Sequence, residues 1–212
     1  MKYTTYKSLY QLTAFSQLFP INAYIFEEQA SLTVIDVGLN VFVKHIEKLA
    51  RKLDKPIKFI ILTHPHLDHI AGLDLLKKQF PEAKIVFSKR DTRLLNGDFS
   101  LDSTEFQGKI RGGFKEIETR PDIMVDEHDE IGSLKVMTTP GHTPGHICLI
   151  YDNVLFAGDL VEERDGMPIP YPVKWNWDTS ILFQSIEKLK FYPFKWVCMA
   201  HGNPVERDEL FG

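Results

Sequence analysis

The sequence predicts one α/β domain, of the α+β kind, built from mixed sheets with helices on their outer sides. Two observations predict it. Each half of the chain runs through several strands and then into a helix and a further strand, the order expected when helices cover a sheet. Its 212 residues contain no internal repeat, low-complexity segment or linker, so residues 1–212 read as a single domain.

The first strands are YQLTAF (10–15), NAYIFEE (22–28) and SLTVIDVG (31–38), rich in β-branched and aromatic residues with breakers between them. The period then changes. Over 41–53, Val43, Ile46, Leu49, Ala50 and Leu53 form an apolar stripe opposite Lys44, Glu47, Lys48 and Arg51, which predicts an amphipathic helix. IKFIILT (57–63), apolar but for Lys58 and its closing Thr63, predicts a strand buried on both faces. A helix over 72–80 stopped by Pro81, and a strand over 83–88, follow.

Residues 89–120 lack a clear period and suggest a lid or substrate wall with a short helix or two. Two strands around Gly132, a hairpin turning at Asp152-Asn153, an aromatic, proline-rich loop over 164–177, a helix capped by Asp178 and a strand ending on His201 complete the chain.

The turn after the fourth strand reads THPHLDH and takes His64, His66 and His69 from a total of eight histidines. Further histidines and carboxylates recur at strand ends: His142 in TPGHTPGH, Asp159 in FAGDLV and His201 in MAHG. Imidazole and carboxylate are the usual ligands of zinc, manganese and iron, and a set without thiolates argues against a closed structural zinc site. Residues two apart in an extended turn point to the same side, so His64 and His66 can share an ion. Asp68 and His69, entering the next helix, can serve a second one, and an aspartate such as Asp159 can bridge two cations.

A net charge of −4 without a basic block disfavours nucleic acid as a partner. No apolar run reaches the length of a membrane span or a signal peptide, so a cytoplasmic protein is expected. Cys148 and Cys198 lie far apart among apolar neighbours and are expected to be buried free thiols.

H-x-H-x-D-H behind a buried strand, then G-H-T-x-G-H, then G-D, then a late strand-end histidine, resembles the metallo-β-lactamase-fold hydrolase superfamily over positions 36–201. The resemblance implies an αββα sandwich of two mixed sheets with metals along one edge. It implies that His64, His66 and His142 hold one divalent ion, that Asp68, His69 and His201 hold a second, and that Asp159 bridges them. Zinc is the first expectation, with iron or manganese as alternatives. Asp68 is also expected to orient the attacking hydroxide as a base. Asp36 matches an early aspartate of the family that supports the metal loop, and His146 is expected to hydrogen-bond near the site without binding metal.

The activity this implies is hydrolysis of an ester, thioester or lactone of a small molecule by a hydroxide shared between two ions. The hydroxyacylglutathione hydrolase and lactonase branch has the most similar metal set. Against it, the chain ends eleven residues after His201 where those hydrolases add a helical segment, and it reads Asp159-Leu160-Val161 where lactonases carry a tyrosine. A mononuclear-iron oxidoreductase similar to persulfide dioxygenases is the alternative, disfavoured because both ligand sets are complete. Tyr171, Trp175 and Trp177 are expected to line the substrate pocket, with Arg111, Arg164 and Lys174 as the cations near it. The expected partner is a small molecule, with neither nucleic acid nor membrane involved, and the chain is expected to be a monomer or homodimer.

Overall fold

The computed structural model describes residues 1–16 and 19–211. Among them, the first sheet has seven strands in chain order: β1 (Lys2–Tyr6), β2 (Leu9–Ala14), β3 (Ile21–Glu27), β4 (Leu32–Ile35), β5 (Ile57–Ile61), β6 (Lys84–Ser88) and β7 (Ile123–Val125). Between these strands lie α1 (Asn40–Leu53), α2 (Leu67–Ile70), α3 (Leu73–Gln79) and α4 (Thr92–Leu95). The second sheet contains β8 (Glu130–Ile131), β9 (Leu134–Thr138), β10 (Ile147–Tyr151) and β11 (Val154–Gly158). Next come the β12 (Val161–Arg164) and β13 (Met167–Pro170) hairpin and α5 (Thr179–Leu189). Then β14 (Trp196–Met199) and β15 (Val205–Glu206) join the second sheet, in the order β15-β14-β11-β10-β9-β8, and α6 (Arg207–Phe211) follows.

Alternation along the strands sorts their side chains into three apolar layers. Val34 and Ile60 face outward onto Phe42, Val43 and Ile46 of α1 and Leu73 and Leu76 of α3. Their neighbours Ile35 and Ile61 face inward, where they meet Val136, Ile147, Leu149 and Phe156 of the second sheet. On the far side Cys148, Leu155, Ala157 and Val197 meet Leu182, Ile186 and Leu189 of α5. The result is the αββα sandwich. Within β5, Phe59, Ile60 and Ile61 are apolar on both faces because both are covered there, while Lys58 near the start of the strand stays exposed.

The hairpin between β10 and β11 turns at Asp152-Asn153, with Tyr151 opposite Val154. The Asp178 carboxylate caps α5 by accepting from the N–H groups of Ser180 and Ile181. Cys148 and Cys198 are buried free thiols. Other expectations shift. The strand expected over 31–38 ends at Ile35, because Asp36 turns into the left-handed region at φ 55°. The two strands expected around Gly132 are a short hairpin, β8–β9, and the stretch before it is β7, which pairs with β6 of the other sheet. The 164–177 loop opens with the β12–β13 hairpin, turned by Asp165 and Gly166 at positive φ. His45 of α1 is half-buried against the Tyr3 hydroxyl.

β4 and β5 run parallel, as do β11 and β14. Their C-terminal ends, with the β9–β10 connection, therefore share one edge of the sandwich, as expected for a site carried on loops of a rigid sheet. No helix of the described residues is long and apolar enough to cross a membrane.

Candidate metal centre

The turn after β5, the β9–β10 connection and the segments following β11 and β14 deliver the seven expected ligand residues to that edge. His64, His66, His142 and Asp159 bring one donor atom each within 4.8 Å of one another, and Asp68, His69 and His201 form a second such group. His66 presents Nδ1, which lies 3.0 Å from His64 Nε2 and 2.8 Å from His142 Nε2.

Asp159 stands between the groups. Its Oδ2 is 3.3 Å from His142 Nε2 and 3.7 Å from His64 Nε2. Its Oδ1 is 3.2 Å from His201 Nε2 and 3.4 Å from His69 Nε2. Asp68 Oδ2 completes the second group at 3.4 Å from His201 Nε2.

Three atoms here, His69 Nε2, Asp159 Oδ1 and His201 Nε2, are buried without a hydrogen-bond partner. Leaving such groups unpaired in an apolar interior costs about 1–3 kcal/mol each, more for charged ones. They converge on one point, so the donor set fits a cation and is poorly served by anything else.

The remaining ring nitrogens are held from behind. Asp36 Oδ2 accepts from His69 Nδ1 at 2.8 Å, and the carboxylate is itself fixed by the Thr63 N–H at Oδ1 and the Thr63 hydroxyl at Oδ2, both at 2.9 Å. Thr63 Oγ1 lies 3.1 Å from His64 Nδ1. The Arg111 carbonyl accepts from His66 Nε2 at 2.8 Å, and the Pro20 carbonyl accepts from His201 Nδ1 at 2.7 Å. Gly112 permits the first of these contacts: at φ 111°, a Cβ there would stand 2.0 Å from the His66 ring.

Burial pushes His64, His66 and His142 below the usual imidazole range, with neighbouring histidines adding to the effect, so all three are neutral as ligation requires. At His69 and His201 burial acts the same way but loses to Asp159, helped at His69 by Asp36, and both rings are raised. Burial favours the neutral acid at Asp159, yet His201 and His69 hold its carboxyl well below the carboxylate range. Without an ion, protons on these two rings balance the carboxylates, and a cation bound to the second group would displace them.

His146, the repeat histidine of TPGHTPGH, is buried but belongs to neither group. Its Nδ1 lies 2.8 Å from Thr139 Oγ1, and its Nε2 accepts the Asp159 backbone N–H at 3.1 Å. The Asp36 carboxylate thus lies behind His69, and His146 lies behind the Asp159 backbone.

Beside these ligands opens a cavity of about 390 Å³, walled by Phe19, Gly112, Gly113, Tyr171, Lys174 and Trp175 and floored by His66, Asp68, His142 and Asp159. Tyr171 is buried, with its ring 4.6 Å from that of His142 and 5.7 Å from that of His201. Burial raises its phenol strongly, and the Asp159 and Asp68 carboxylates add to this.

Trp177 is not part of the cavity wall. It is buried with Leu94, Ile110 and Phe114 under the 89–120 segment, and its backbone N–H is committed to the His142 carbonyl. The 89–120 segment reaches the cavity through Gly112 and Gly113, and Phe114 packs on His66 at 5.0 Å. Of the three expected cations only Lys174 lines the cavity.

Sequence reasoning missed Asn176, whose amide meets His142, and Asp91, which is buried and accepts from Thr143 Oγ1 at 2.5 Å and from the Gly145 N–H at 2.7 Å. Asp91 fastens the GHTPGH segment from outside the site. A lone aspartate after a strand gives no signal of that role.

Residues 17–201 match the model of the Metallo-beta-lactamase superfamily. The chain belongs to this superfamily. The uncharacterized protein YobT of Bacillus subtilis is 42% identical over 98% of this chain and 95% of its own length. A probable polyketide biosynthesis zinc-dependent hydrolase, PksB, of the same organism is 29% identical over 65% of this chain and 54% of its own length. A metallo-β-lactamase from Pontibacter korlensis superposes with a TM-score of 0.77 over 99% of this chain and 95% of its own, at 18% identity, a likeness of fold alone. With its ligand groups intact, this member of the superfamily is a metal-dependent hydrolase.

Proposed function

We propose that the chain is a dinuclear hydrolase that cleaves a carboxylic ester, thioester or lactone of a small molecule with an apolar acyl or alkyl part. The observation that carries this reading is the division of Asp159, with Oδ2 toward the His64–His66–His142 group and Oδ1 toward the Asp68–His69–His201 group. Zinc is the first choice of metal, since PksB is named as zinc-dependent and a set of imidazoles and carboxylates suits it.

Bound divalent ions lower the pKa of water toward about 7 and draw electron density from a carbonyl oxygen. The protein's own groups do the rest. Asp68, which lines the cavity and keeps 28% of its side-chain surface exposed, can orient the attacking oxygen and accept its proton. Tyr171 stays a phenol and so can donate to a substrate oxygen as negative charge develops there. Phe19 and Trp175 offer apolar walls to an acyl or alkyl group, and Lys174 adds a single positive charge at the mouth. That balance disfavours highly charged nucleotides.

The test is elemental analysis of the purified protein together with assays on ester, thioester, lactone and phosphodiester substrates. About two divalent ions per chain and cleavage of one of the first three classes are expected. Asp159→Ala should abolish hydrolysis with the fold retained, since the three apolar layers do not involve it. One iron with an empty second site would instead indicate the oxidoreductase.

A further inference from the structure

We infer that Asn176 is the positioning residue that fixes the tautomer of His142 and so aims its Nε2 at the first ion. The inference rests on His142 being a ligand. His69, His66 and His201 each have a ring nitrogen facing a carboxylate or carbonyl oxygen: Asp36, Arg111 and Pro20. Such an oxygen can only accept, so that nitrogen must carry the hydrogen and the other must present its lone pair. His142 has no such partner. Its Nδ1 faces the amide of Asn176 at 3.3 Å, and an amide accepts from one end and donates from the other.

What decides the orientation of that amide is Tyr171. Its backbone carbonyl stands 2.9 Å from Asn176 Nδ2 and can only accept, so the NH₂ end must face it. Oδ1 is thereby turned to His142, Nδ1 must be the protonated nitrogen, and Nε2 is left as the donor to metal. Two backbone bonds hold the strips together: Trp177 N–H to His142 C=O at 3.0 Å and Asp178 N–H to Gly141 C=O at 2.9 Å. Asn176 is only 3% exposed, so water cannot readily replace either partner. The amide therefore joins a ligand to the segment that walls the cavity.

The experiment measures metal affinity by chelator competition in the wild type, Asn176→Ala, Asn176→Asp and His142→Ala. It also measures the His142 tautomer in the metal-free proteins by long-range ¹H–¹⁵N NMR. The ion that disappears in His142→Ala identifies the first site. Asn176→Ala should weaken that ion about 10–100-fold, the usual effect of removing the partner behind a ligating histidine, and leave the other within about twofold. Its His142 should lose the pure Nδ1–H form. Asn176→Asp, whose carboxylate can still accept from Nδ1–H, should keep Nδ1–H and bind this ion at least as tightly as the wild type.

If Asn176→Ala does not fold, Asn176→Gln, too long to meet both partners, takes its place with the same expectation. Unchanged affinity in the Ala variant, equal weakening of both ions, or an Asp variant as weak as Ala would overturn the inference. A wild type holding only the His142-dependent ion would count against the dinuclear reading and leave this test intact.

Discussion

His146 Nε2 accepts the backbone N–H of Asp159 at 3.1 Å. Burial drives the ring's pKa down to about 3, so it remains a neutral acceptor through the working range, and its Nδ1–H is directed to Thr139 Oγ1. The bond pins the residue whose carboxylate faces both ligand groups. His142→Ala should therefore cost the protein one ion outright. His146→Ala should retain both, each bound about tenfold more weakly as Asp159 loosens. Equal metal loss in the two variants, by elemental analysis after dialysis, would contradict this division of roles.

Gly158 precedes Asp159 at φ 51°, and a Cβ there would stand 2.6 Å from His146 Nε2 and 2.9 Å from Thr63 Cβ. Left-handed backbone costs a residue with a Cβ about 1–2 kcal/mol, and overpacking adds about 1–3 kcal/mol. Gly158→Ala should lower stability by about 2–4 kcal/mol in urea unfolding of the metal-free protein. Metal affinity should fall with it. A loss below 1 kcal/mol, on the order of a surface change, would mean that the turn relaxes freely.

Asp91 gives the fold a pH dependence of its own. Burial raises its pKa from 3.8 to about 6, only partly offset by the hydrogen bonds from Thr143 and Gly145. The folded state thus binds this proton more tightly than the unfolded state does. That contribution is fully present below about pH 3.8 and is lost as pH rises through about 6. Asp91→Asn lacks it. Relative to wild type, the variant should gain stability between pH 4.5 and 7, on the order of 1–3 kcal/mol. Parallel stability curves over that range would show that Asp91 titrates normally.

Trp175 and Trp177 are two residues apart and should behave differently. Trp175 is half-exposed on the cavity wall, so Trp175→Ala should raise KM more than it lowers kcat. Trp177 is 5% exposed in its own apolar cluster, and Trp177→Ala should cost about 3–5 kcal/mol of stability. Kinetics on a cleaved substrate and denaturant midpoints of both variants separate the two cases.

Where a signal in the sequence came from periodicity or side-chain chemistry, it matched the fold. The stripe at Val43, Ile46 and Leu49 placed α1, and the apolar residues Phe59, Ile60 and Ile61 required cover on both faces of β5. Where a segment is held only by its neighbour, it was silent. β1 is exposed along nearly its whole length and exists because it pairs with β2. β12 and β13 pair only with each other, and two prolines in β13 hide them. Trp177 was misplaced for a related reason: a ring in a proline-rich loop has no period to show which way it faces.

By itself the sequence determined which side chains could bind a cation and that they fall in the segments that follow strands, because donor chemistry and strand period are local properties. The tertiary structure alone decided what holds those side chains in aim. His201 is fixed by the carbonyl of Pro20, 181 residues away, and His66 by that of Arg111. Every residue carries a carbonyl, so only packing can select which one a histidine meets. The same holds for Asn176, whose amide has a defined direction only because the Tyr171 carbonyl lies on one side of it and His142 on the other.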